Sequence, residues 1–230
     1  MDYMEWKPFY ETILQEFGYS LEEDSKAAAV LDNLLDGKKM GDVHHYLKKN
    51  IAGKDVVVCG AGPSLLKALD THMELIQKRV LITADGATSA VLKKGLLPYV
   101  IVTDLDGYMP DQIKANDVGS VVVVHAHGDN IDALQRYVPK LKGKILGTTQ
   151  CDPGDYKNLF NFGGFTDGDR AVFLAEYMGA KQVFLIGFDF NGEIGSFSFP
   201  GKKNFDVKKR KLKWCKRLLS FVKNSEIVFL

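Results

Sequence analysis

Short β-branched runs alternate with helix-like stretches from residue 55 onward, and this alternation restricts the fold more than any other feature of the chain. The runs are DVVVC (55–59), RVLIT (79–83), YVIVT (99–103), SVVVV (120–124), GKILG (143–147) and QVFLI (182–186). They are apolar on both faces, as strands are when helices cover both sides of a parallel sheet. The pattern predicts an α/β fold with a doubly wound, mostly parallel, Rossmann-like sheet.

Helical patterns precede these strands and lie between them. Helices are predicted at 5–17, 21–35, 41–49, 64–77, 88–94, 110–116, 130–137, 167–178 and 206–222, with a last strand at 226–230. The first 50 residues show no sheet pattern. We therefore expect a helical N-terminal extension, residues 1–50, and an α/β catalytic domain, residues 51–230. The sequence leaves open whether the extension packs on the sheet edge, forms a dimer contact or borders a substrate pocket. It also leaves the oligomeric state open, and a homo-oligomer is one of the options.

Composition indicates an ordinary globular protein. Apolar residues make up 46% of the chain, but no apolar run approaches the roughly 20 residues that span a bilayer. The N-terminus has mixed charge and no signal-peptide core. Cys59, Cys151 and Cys215 form an odd, unpatterned set without a CxxC motif, which favours a reducing compartment. The sequence predicts a cytoplasmic protein with no membrane partner.

Polar and glycine-rich segments follow the predicted strands. They read CGAGPSL, ADGAT, TDLDG, HAHGDN and GFDFNG, and FGGFTDGDRA lies before a predicted helix. In parallel sheets, ligands bind beyond the carboxyl ends of the strands. Because these segments share that edge, the sequence predicts an active site there.

Two like charges stand one residue apart in TDLDG. In an extended segment, residues i and i+2 point the same way, so Asp104 and Asp106 are expected to face one point. Adjacent carboxylates repel each other unless a cation lies between them. Oxygen ligands of this kind suit Mg²⁺. The alternative is a DxDG turn made for backbone reasons.

The HAHGDN segment offers His125, His127, Asp129 and Asn130. The HxH spacing could coordinate zinc, but no further cysteine or histidine cluster completes a tetrahedral set. Hydrogen bonding to phosphate, or acid–base chemistry by one histidine, fits better. Asp129 either joins the metal site or caps the next helix.

The turn after the first strand contains Gly60, Gly62, Pro63 and Ser64. Backbone N–H groups at such a strand-to-helix turn suit a phosphate or ribose. It is not a full dinucleotide fingerprint, because Leu65 stands at the third glycine position. A tight turn with Ser64 as N-cap is the structural alternative.

Two further acidic motifs can each be interpreted as a helix cap or as a contact to a ligand. Asp85, followed by Gly86, either caps a helix or contacts a ribose or a metal-bound water. The other motif contains Thr166, Asp167, Asp169 and Arg170. It begins a helix, so its acids are either helix caps or contacts for substrate or phosphate.

The C-terminal part is strongly basic. Residues 201–224 hold ten Lys or Arg against one acid, whereas the whole chain has a net charge of +1. Most of these lysines are expected on a solvated helix face. Lys202, Lys203 and Arg210 are candidates for a lid that neutralises phosphate charge. Nucleic acid is not expected as a partner, since aromatic residues are not interleaved as a stacking platform.

Taken together and in order, these motifs resemble the archaeal 6-hydroxymethyl-7,8-dihydropterin diphosphokinases, and more distantly thiamine diphosphokinase. The resemblance covers most of residues 50–230. It implies transfer of a diphosphoryl group from ATP to the pterin hydroxymethyl group, with Mg²⁺ as cofactor and AMP as the second product. GxGPSL alone is also similar to certain sialyltransferases, which leaves a nucleotide-sugar-dependent glycosyltransferase as an alternative. A nucleotide-binding module without turnover is the third hypothesis.

The resemblance also implies roles for the motif residues. Asp104 and Asp106 would bind Mg²⁺ with Asp129 as third acid, and Asp106→Asn would abolish turnover. The phosphates or the nucleotide would be held by the Gly60–Ser64 turn, His125, His127 and Asn130. The pterin or phosphate site would include Asp167, Asp169 and Arg170.

Overall fold

A computed structural model describes residues 1–190, Gly195, Phe197 and residues 205–230 of the chain. Within those residues, eight strands form one sheet in the order β6-β5-β4-β3-β2-β1-β7-β8, and every recorded pairing is parallel. The strands are β1 Asp55–Cys59, β2 Val80–Ala84, β3 Val100–Thr103, β4 Val121–Ala126, β5 Ile145–Thr149, β6 Leu159–Phe160, β7 Gln182–Ile186 and β8 Glu226–Phe229. The predicted doubly wound α/β class is confirmed.

Helices precede the sheet and connect its strands. Those described are α1 Tyr3–Phe17, α2 Leu21–Leu34, α3 Met40–Ile51, α4 Leu65–Thr71, α5 Met73–Gln77, α6 Ala87–Lys93, α7 Met109–Asp117, α8 Ile131–Tyr137, α9 Asp167–Tyr177 and α10 Phe205–Leu219. Two differ from the sequence prediction. The helix expected at 64–77 is divided at His72, whose ψ of 21° lies outside the helical region, and the last helix ends at Leu219.

The sheet buries both of its faces, which explains the continuous apolar runs. Val56 and Val58 point to the face covered by α3, α9 and α10, while Val57 and Cys59 point to the opposite face, under α4–α6. Successive side chains of a strand alternate between faces, so each valine of β1 contributes to one of two cores. The short strand β6 was not predicted, because two residues show no periodicity.

The N-terminal helices pack on this α/β body. Helix α1 buries Trp6 and Tyr10 in a cluster with Phe173 of α9 and Trp214 of α10. It ends at Gly18, whose φ of 68° is in the left-handed region that glycine adopts without strain. That turn reverses the chain into α2, which packs on β4 and β5. The division into an extension, residues 1–50, and a catalytic domain stays a prediction.

The strand order creates one topological switch point. From β1 to β6 each new strand is added on the same side, and β7 then pairs with the other side of β1. Helix α4 follows β1 and helix α10 follows β7, and the two lie on opposite faces of the sheet. Open α/β sheets bind ligands at the carboxyl edge beside such a point. No helix in the described part of the chain combines the length and the apolar character needed to cross a membrane.

Candidate active site

A cleft of about 580 Å³ lies along the carboxyl edge of the central strands. The loops after β7, β1, β2, β3 and β4 form its floor. The turn between α1 and α2, the beginning of α9 and one side of α10 form its walls. The predicted position of the site therefore coincides with a large cleft among the described residues.

Three carboxylates meet in this cleft, and we call them the acid cluster: Asp85, Asp104 and Asp167. One oxygen of each lies within 4.8 Å of the others. Asp85 follows β2, Asp104 follows β3, and Asp167 is the first residue of α9. The cluster thus forms because β2 and β3 are neighbours and because α9 packs across them.

Asp85 is held by the end of β3 and the loop that follows it. Its backbone N–H donates to the Val102 carbonyl at 2.7 Å. Its Oδ1 accepts from the Thr103 hydroxyl at 2.7 Å, from Gln112 Nε2 at 2.9 Å and from the Gly107 N–H at 3.2 Å. These bonds fix the carboxylate plane, and Oδ2 takes no part in them.

Asp104 is positioned by the loop after β4. The distance from its Oδ2 to His127 Nε2 is 3.1 Å. Asn130 Nδ2 donates to the Asp104 carbonyl at 2.9 Å and to the His125 carbonyl at 2.8 Å. Asn130 therefore joins the ends of β3 and β4. It also lines the cleft, so the phosphate or nucleotide contact that the sequence predicted for it stays a prediction.

Asp167 is paired with the buried Arg170 one helical turn later. Arg170 Nη1 donates to Asp167 Oδ1 at 3.2 Å, and Nη2 lies 3.4 Å from Gln150 Oε1. Gly164 leaves room for this arginine, since a Cβ there would lie 2.8 Å from the Arg170 Cα atom. One positive charge thus stands beside three carboxylates, and negative charge remains in excess.

The acid cluster favours a bound cation electrostatically. Burial and the charges of Asp104 and Asp106 raise the pKa of Asp85 to about 7. Burial and the charge of Asp104 also hold the pKa of Asp167 well above its usual range, against the effect of Arg170. Two like unit charges about 4 Å apart repel by roughly 4 kcal/mol at an effective dielectric constant of about 20. Three carboxylates as hard oxygen donors fit Mg²⁺, which keeps further positions for water and phosphate oxygens.

Comparison with known proteins defines the family. The model for "6-hydroxymethylpterin diphosphokinase MptE-like" matches residues 28–194. Curated relatives named 6-hydroxymethyl-7,8-dihydropterin pyrophosphokinase occur in Pyrococcus furiosus (46% identity, 98% of this chain, 96% of the relative) and Methanocaldococcus jannaschii (41% identity, 100% of both). Another, from Methanothermobacter thermautotrophicus, is 42% identical over 98% of this chain and 97% of its own. The chain belongs to the MptE-like diphosphokinase family.

Among solved structures, the MAf glycosyltransferase from Magnetospirillum magneticum AMB-1 is similar, with a TM-score of 0.47 and 11% identity. The match covers 89% of this chain and 38% of the glycosyltransferase. Likeness at this level carries no argument about activity. The glycosyltransferase hypothesis thus gains nothing from it, and membership of an enzyme family favours catalysis over a binding module without turnover.

Asp106 and Asp129, two of the predicted metal ligands, lie outside the acid cluster. The extended geometry expected for residues 104–106 is wrong, because Leu105 has a φ of 70°. Asp106 is exposed at the cleft, and its backbone N–H lies 3.3 Å from Asp104 Oδ1. The Asp129 side chain is 77% exposed and lies 3.5 Å from His127 Nδ1. Asp85 and Asp167 group with Asp104 instead, and the sequence could not show this grouping without the strand order.

The two histidines of the HxH motif differ in their surroundings. His127 lines the cleft between Asp104 and Asp129. Burial lowers its pKa, but the hydrogen bonds to these two carboxylates raise it by more, so the pKa of His127 lies above its usual value. His125 lies behind the cleft, with Nδ1 3.0 Å from the Thr148 hydroxyl. Burial and the nearby Arg170 hold the pKa of His125 well below its usual range. His125 is thus a neutral core residue, where the sequence predicted a phosphate contact.

Asp169 is a helix cap that does not line the cleft. It is fully buried and accepts hydrogen bonds from the Phe165 N–H (3.0 Å), the Thr166 N–H (2.6 Å) and the Thr166 hydroxyl (2.5 Å). Together Thr166 and Asp169 form a capping box. The spacing T-x-x-D is the sequence signal that could have identified this role.

The glycine turn after β1 packs against the loop after β7. A Cβ on Gly60 would lie 2.6 Å from the Gly187 carbonyl, and one on Gly62 would lie 2.1 Å from Asp189 Oδ2. Asp189 Oδ2 also accepts from the Ser64 N–H at 3.0 Å and from its hydroxyl at 2.8 Å. Gly60 and Gly62 line the cleft, as does Gly86 after Asp85, whereas Pro63 and Ser64 do not line it.

The basic residues of α10 divide between the cleft and helix α1. Arg210 donates to the Glu16 carboxylate at 3.2 Å and stacks on Phe17, with 4.4 Å from its Cζ to the ring centroid. It therefore faces α1 and does not line the cleft, although the sequence made it a candidate for a lid that neutralises phosphate charge. Lys208 and Lys211 of the same helix line the cleft. Lys202 and Lys203 lie outside the described residues.

The turn between α1 and α2 forms one wall of the cleft, which answers the open question about the N-terminal helices. Tyr19, Ser20, Glu23 and Asp24 line this wall. Asp24 anchors it: its Oδ1 accepts from the Gly128 N–H at 2.8 Å, and its Oδ2 accepts from Tyr10 and Gln150 at 2.6 and 2.7 Å. No pattern in the sequence had identified this segment.

Proposed function

We propose that this chain transfers a diphosphoryl group from ATP to the hydroxymethyl group of 6-hydroxymethyl-7,8-dihydropterin, with Mg²⁺ held by the acid cluster. The observation that carries the proposal is the convergence of Asp85, Asp104 and Asp167 in the cleft of a member of this family. The printed names of the three relatives support the pterin acceptor. Mg²⁺ as cofactor is supported by the chemistry of the carboxylates, and a nucleoside triphosphate donor by the glycine turn at the carboxyl end of β1.

The reaction needs charge neutralisation and alignment more than covalent chemistry. The hydroxymethyl oxygen attacks the β-phosphorus of ATP and loses its proton. The bond between the β-phosphorus and the oxygen that bridges to the α-phosphorus breaks, and that oxygen leaves with AMP. The product carries the β- and γ-phosphoryl groups as a diphosphate ester.

The residues of the chain fill three roles in this proposal. The acid cluster holds Mg²⁺, which when bound neutralises phosphate charge and aligns the phosphate oxygens. Arg170 fixes Asp167, while His127 and Asn130 fix Asp104. Lys208 and Lys211 bring positive charge to the cleft wall, where a polyphosphate would be attracted.

A single reaction tests the proposal. Purified protein is incubated with ATP, Mg²⁺ and 6-hydroxymethyl-7,8-dihydropterin, and the nucleotides are separated by chromatography. We expect AMP and pterin diphosphate in equal amounts, with neither formed when the pterin is omitted or EDTA is added. Formation of ADP would mean attack on the γ-phosphorus, and a folded protein that forms neither nucleotide would refute the proposal.

A further inference from the structure

The strand order arranges the lining of the cleft along one line. Gln150 follows β5, His127 and Gly128 follow β4, the acid cluster follows β3 and β2, and the glycine turn and Gly187 follow β1 and β7. The acid cluster therefore lies between two ends, which we call the β7 end and the β5 end. A diphosphoryl transfer has the same layout, since phosphates lie between two flat ring systems.

The β7 end has the features that suit a nucleotide. It contains the Gly60–Gly62 turn and lies at the topological switch point between β1 and β7, where open α/β sheets bind nucleotides. The rings of Phe188 and Phe190 line it. If ATP enters here with its phosphates over the acid cluster, the acceptor must approach from the β5 end.

The β5 end is built by the N-terminal helices. Asp24 of α2 joins the loops after β4 and β5 through Gly128 and Gln150. The rings of Tyr19 and Phe165 line the adjoining wall of the cleft, and Lys211 of α10 lies over both rings. Neighbouring strands are about 4.8 Å apart, so β3 and β5 are separated by about 10 Å. A bicyclic ring and its hydroxymethyl group can span that length, with the hydroxyl at the acid cluster.

One carboxylate at the β5 end is available to a ligand. Both oxygens of Asp24 accept hydrogen bonds from the protein. Glu23, its neighbour, lines the cleft, and no hydrogen bond or ion pair recorded among the described residues engages its carboxylate. Its backbone is held close to the β4 loop, because a Cβ on Gly128 would lie 2.9 Å from the Glu23 Cβ atom.

From this arrangement we infer that the pterin ring binds at the β5 end and that the Glu23 carboxylate recognises its 2-amino and N3–H donors. The inference rests on the proposed function. A pterin presents these two N–H groups side by side, and a carboxylate accepts both at once, as it does from an arginine. Adenine offers no such donor pair, so Glu23 distinguishes the acceptor from the nucleotide. The N-terminal helices thereby supply the specificity of the site.

The experiment compares Glu23→Gln with Glu22→Gln. Glu22 is the adjacent exposed glutamate; it pairs with Lys26 at 2.6 Å and does not line the cleft. Binding of 6-hydroxymethyl-7,8-dihydropterin and of α,β-methylene-ATP, which cannot release AMP, is measured separately by calorimetry. Thermal unfolding of both variants checks that each remains folded.

We expect Glu23→Gln to raise the Kd of the pterin by roughly tenfold or more, because hydrogen bonds to a charged group are lost. The Kd of the ATP analogue should stay within about twofold of the wild-type value, and Glu22→Gln should change neither. The inference would be overturned if Glu23→Gln bound the pterin with wild-type affinity. It would also be overturned if the variant bound the ATP analogue more weakly instead of the pterin. Failure of the proposed function can be told apart from failure of this inference, because in the former case the wild-type protein itself forms no AMP.

Discussion

The acid cluster contains partly buried carboxylates and the capping box at the start of α9 a fully buried one, and they are stabilised in opposite ways. Asp169 stands alone and accepts three hydrogen bonds from N–H and O–H donors. The acid cluster brings three carboxylates together with one arginine. The first arrangement satisfies its charge within the protein, whereas the second leaves a charge that a cation can neutralise.

Asp167 and Asp169 show that position within a helix, and not residue type, separates the two roles. They are two residues apart in TDGDR, at the first and third positions of α9. The third residue reaches back to the N-cap backbone, whereas the first is directed out of the helix end toward the cleft. Four predictions sharpen this comparison.

The largest effect is expected from loss of a carboxylate of the acid cluster. Asp104→Asn or Asp167→Asn should lower the rate of AMP formation by about a thousandfold or more, since several kcal/mol of charge stabilisation are lost. The variants should remain folded, because decreased repulsion in the cluster offsets the weakened contacts with His127 and Arg170. Steady-state kinetics and thermal unfolding check both expectations. Near-wild-type rates in both variants would contradict the assignment.

Divalent cations should stabilise the wild-type protein. At a Mg²⁺ concentration of 100 times its Kd, binding adds about 2.7 kcal/mol to the free energy of unfolding. For a chain of this length we expect a rise in Tm of roughly 5–10 °C. The same titration of Asp104→Asn should give a much smaller rise. An equal rise in both proteins would mean that the cation binds elsewhere.

The capping carboxylate should show the reverse behaviour. Asp169→Ala should lower the free energy of unfolding by about 2 kcal/mol, because the Phe165 and Thr166 N–H groups lose their acceptor. Asp167→Ala is the matched control and should destabilise the fold less, because the lost pair with Arg170 is offset by decreased repulsion in the acid cluster. Urea unfolding measures both. If Asp167→Ala were the more destabilising variant, the two roles would have to be exchanged.

The smallest effect is expected from Asp106→Asn. Asp106 contributes negative charge near Asp85 and Asp167 but lies outside the acid cluster. We expect the rate of AMP formation to fall by no more than about tenfold, in contrast to the loss of turnover that the sequence predicted. Kinetics run in parallel with Asp104→Asn decide between these expectations. A loss as large as that of Asp104→Asn would return Asp106 to the metal site.

The sequence predicted the sheet well because its strands are buried on both faces. Residues 55–59 and 182–186 match β1 and β7 in full, since uninterrupted apolar runs flanked by polar turns have few other interpretations. The carboxyl edge of the sheet was predicted as the position of the site because polar and glycine-rich segments follow these apolar runs. What the sequence lacked was the order of the strands, which alone makes Asp85 a neighbour of Asp104.

Local backbone geometry limited the prediction of the site. Leucine seldom adopts a positive φ, so nothing in TDLDG indicated that Leu105 would separate Asp104 from Asp106. The capping box of α9 was recognisable from its spacing. The cleft wall formed by Tyr19, Glu23 and Asp24 was not, because it depends on long-range contacts between α2 and the loop after β4.

Direct measurement of metal binding tests the central claim most closely. Mn²⁺, which has the same ligand preference as Mg²⁺ and a paramagnetic signal, is titrated into the wild-type protein, Asp167→Asn and Asp169→Asn. The acid cluster predicts that Asp167→Asn raises the Kd of Mn²⁺ at least about tenfold, whereas Asp169→Asn, where folded, leaves it near the wild-type value. Equal affinity in the wild-type protein and Asp167→Asn would contradict the claim that these carboxylates hold the metal.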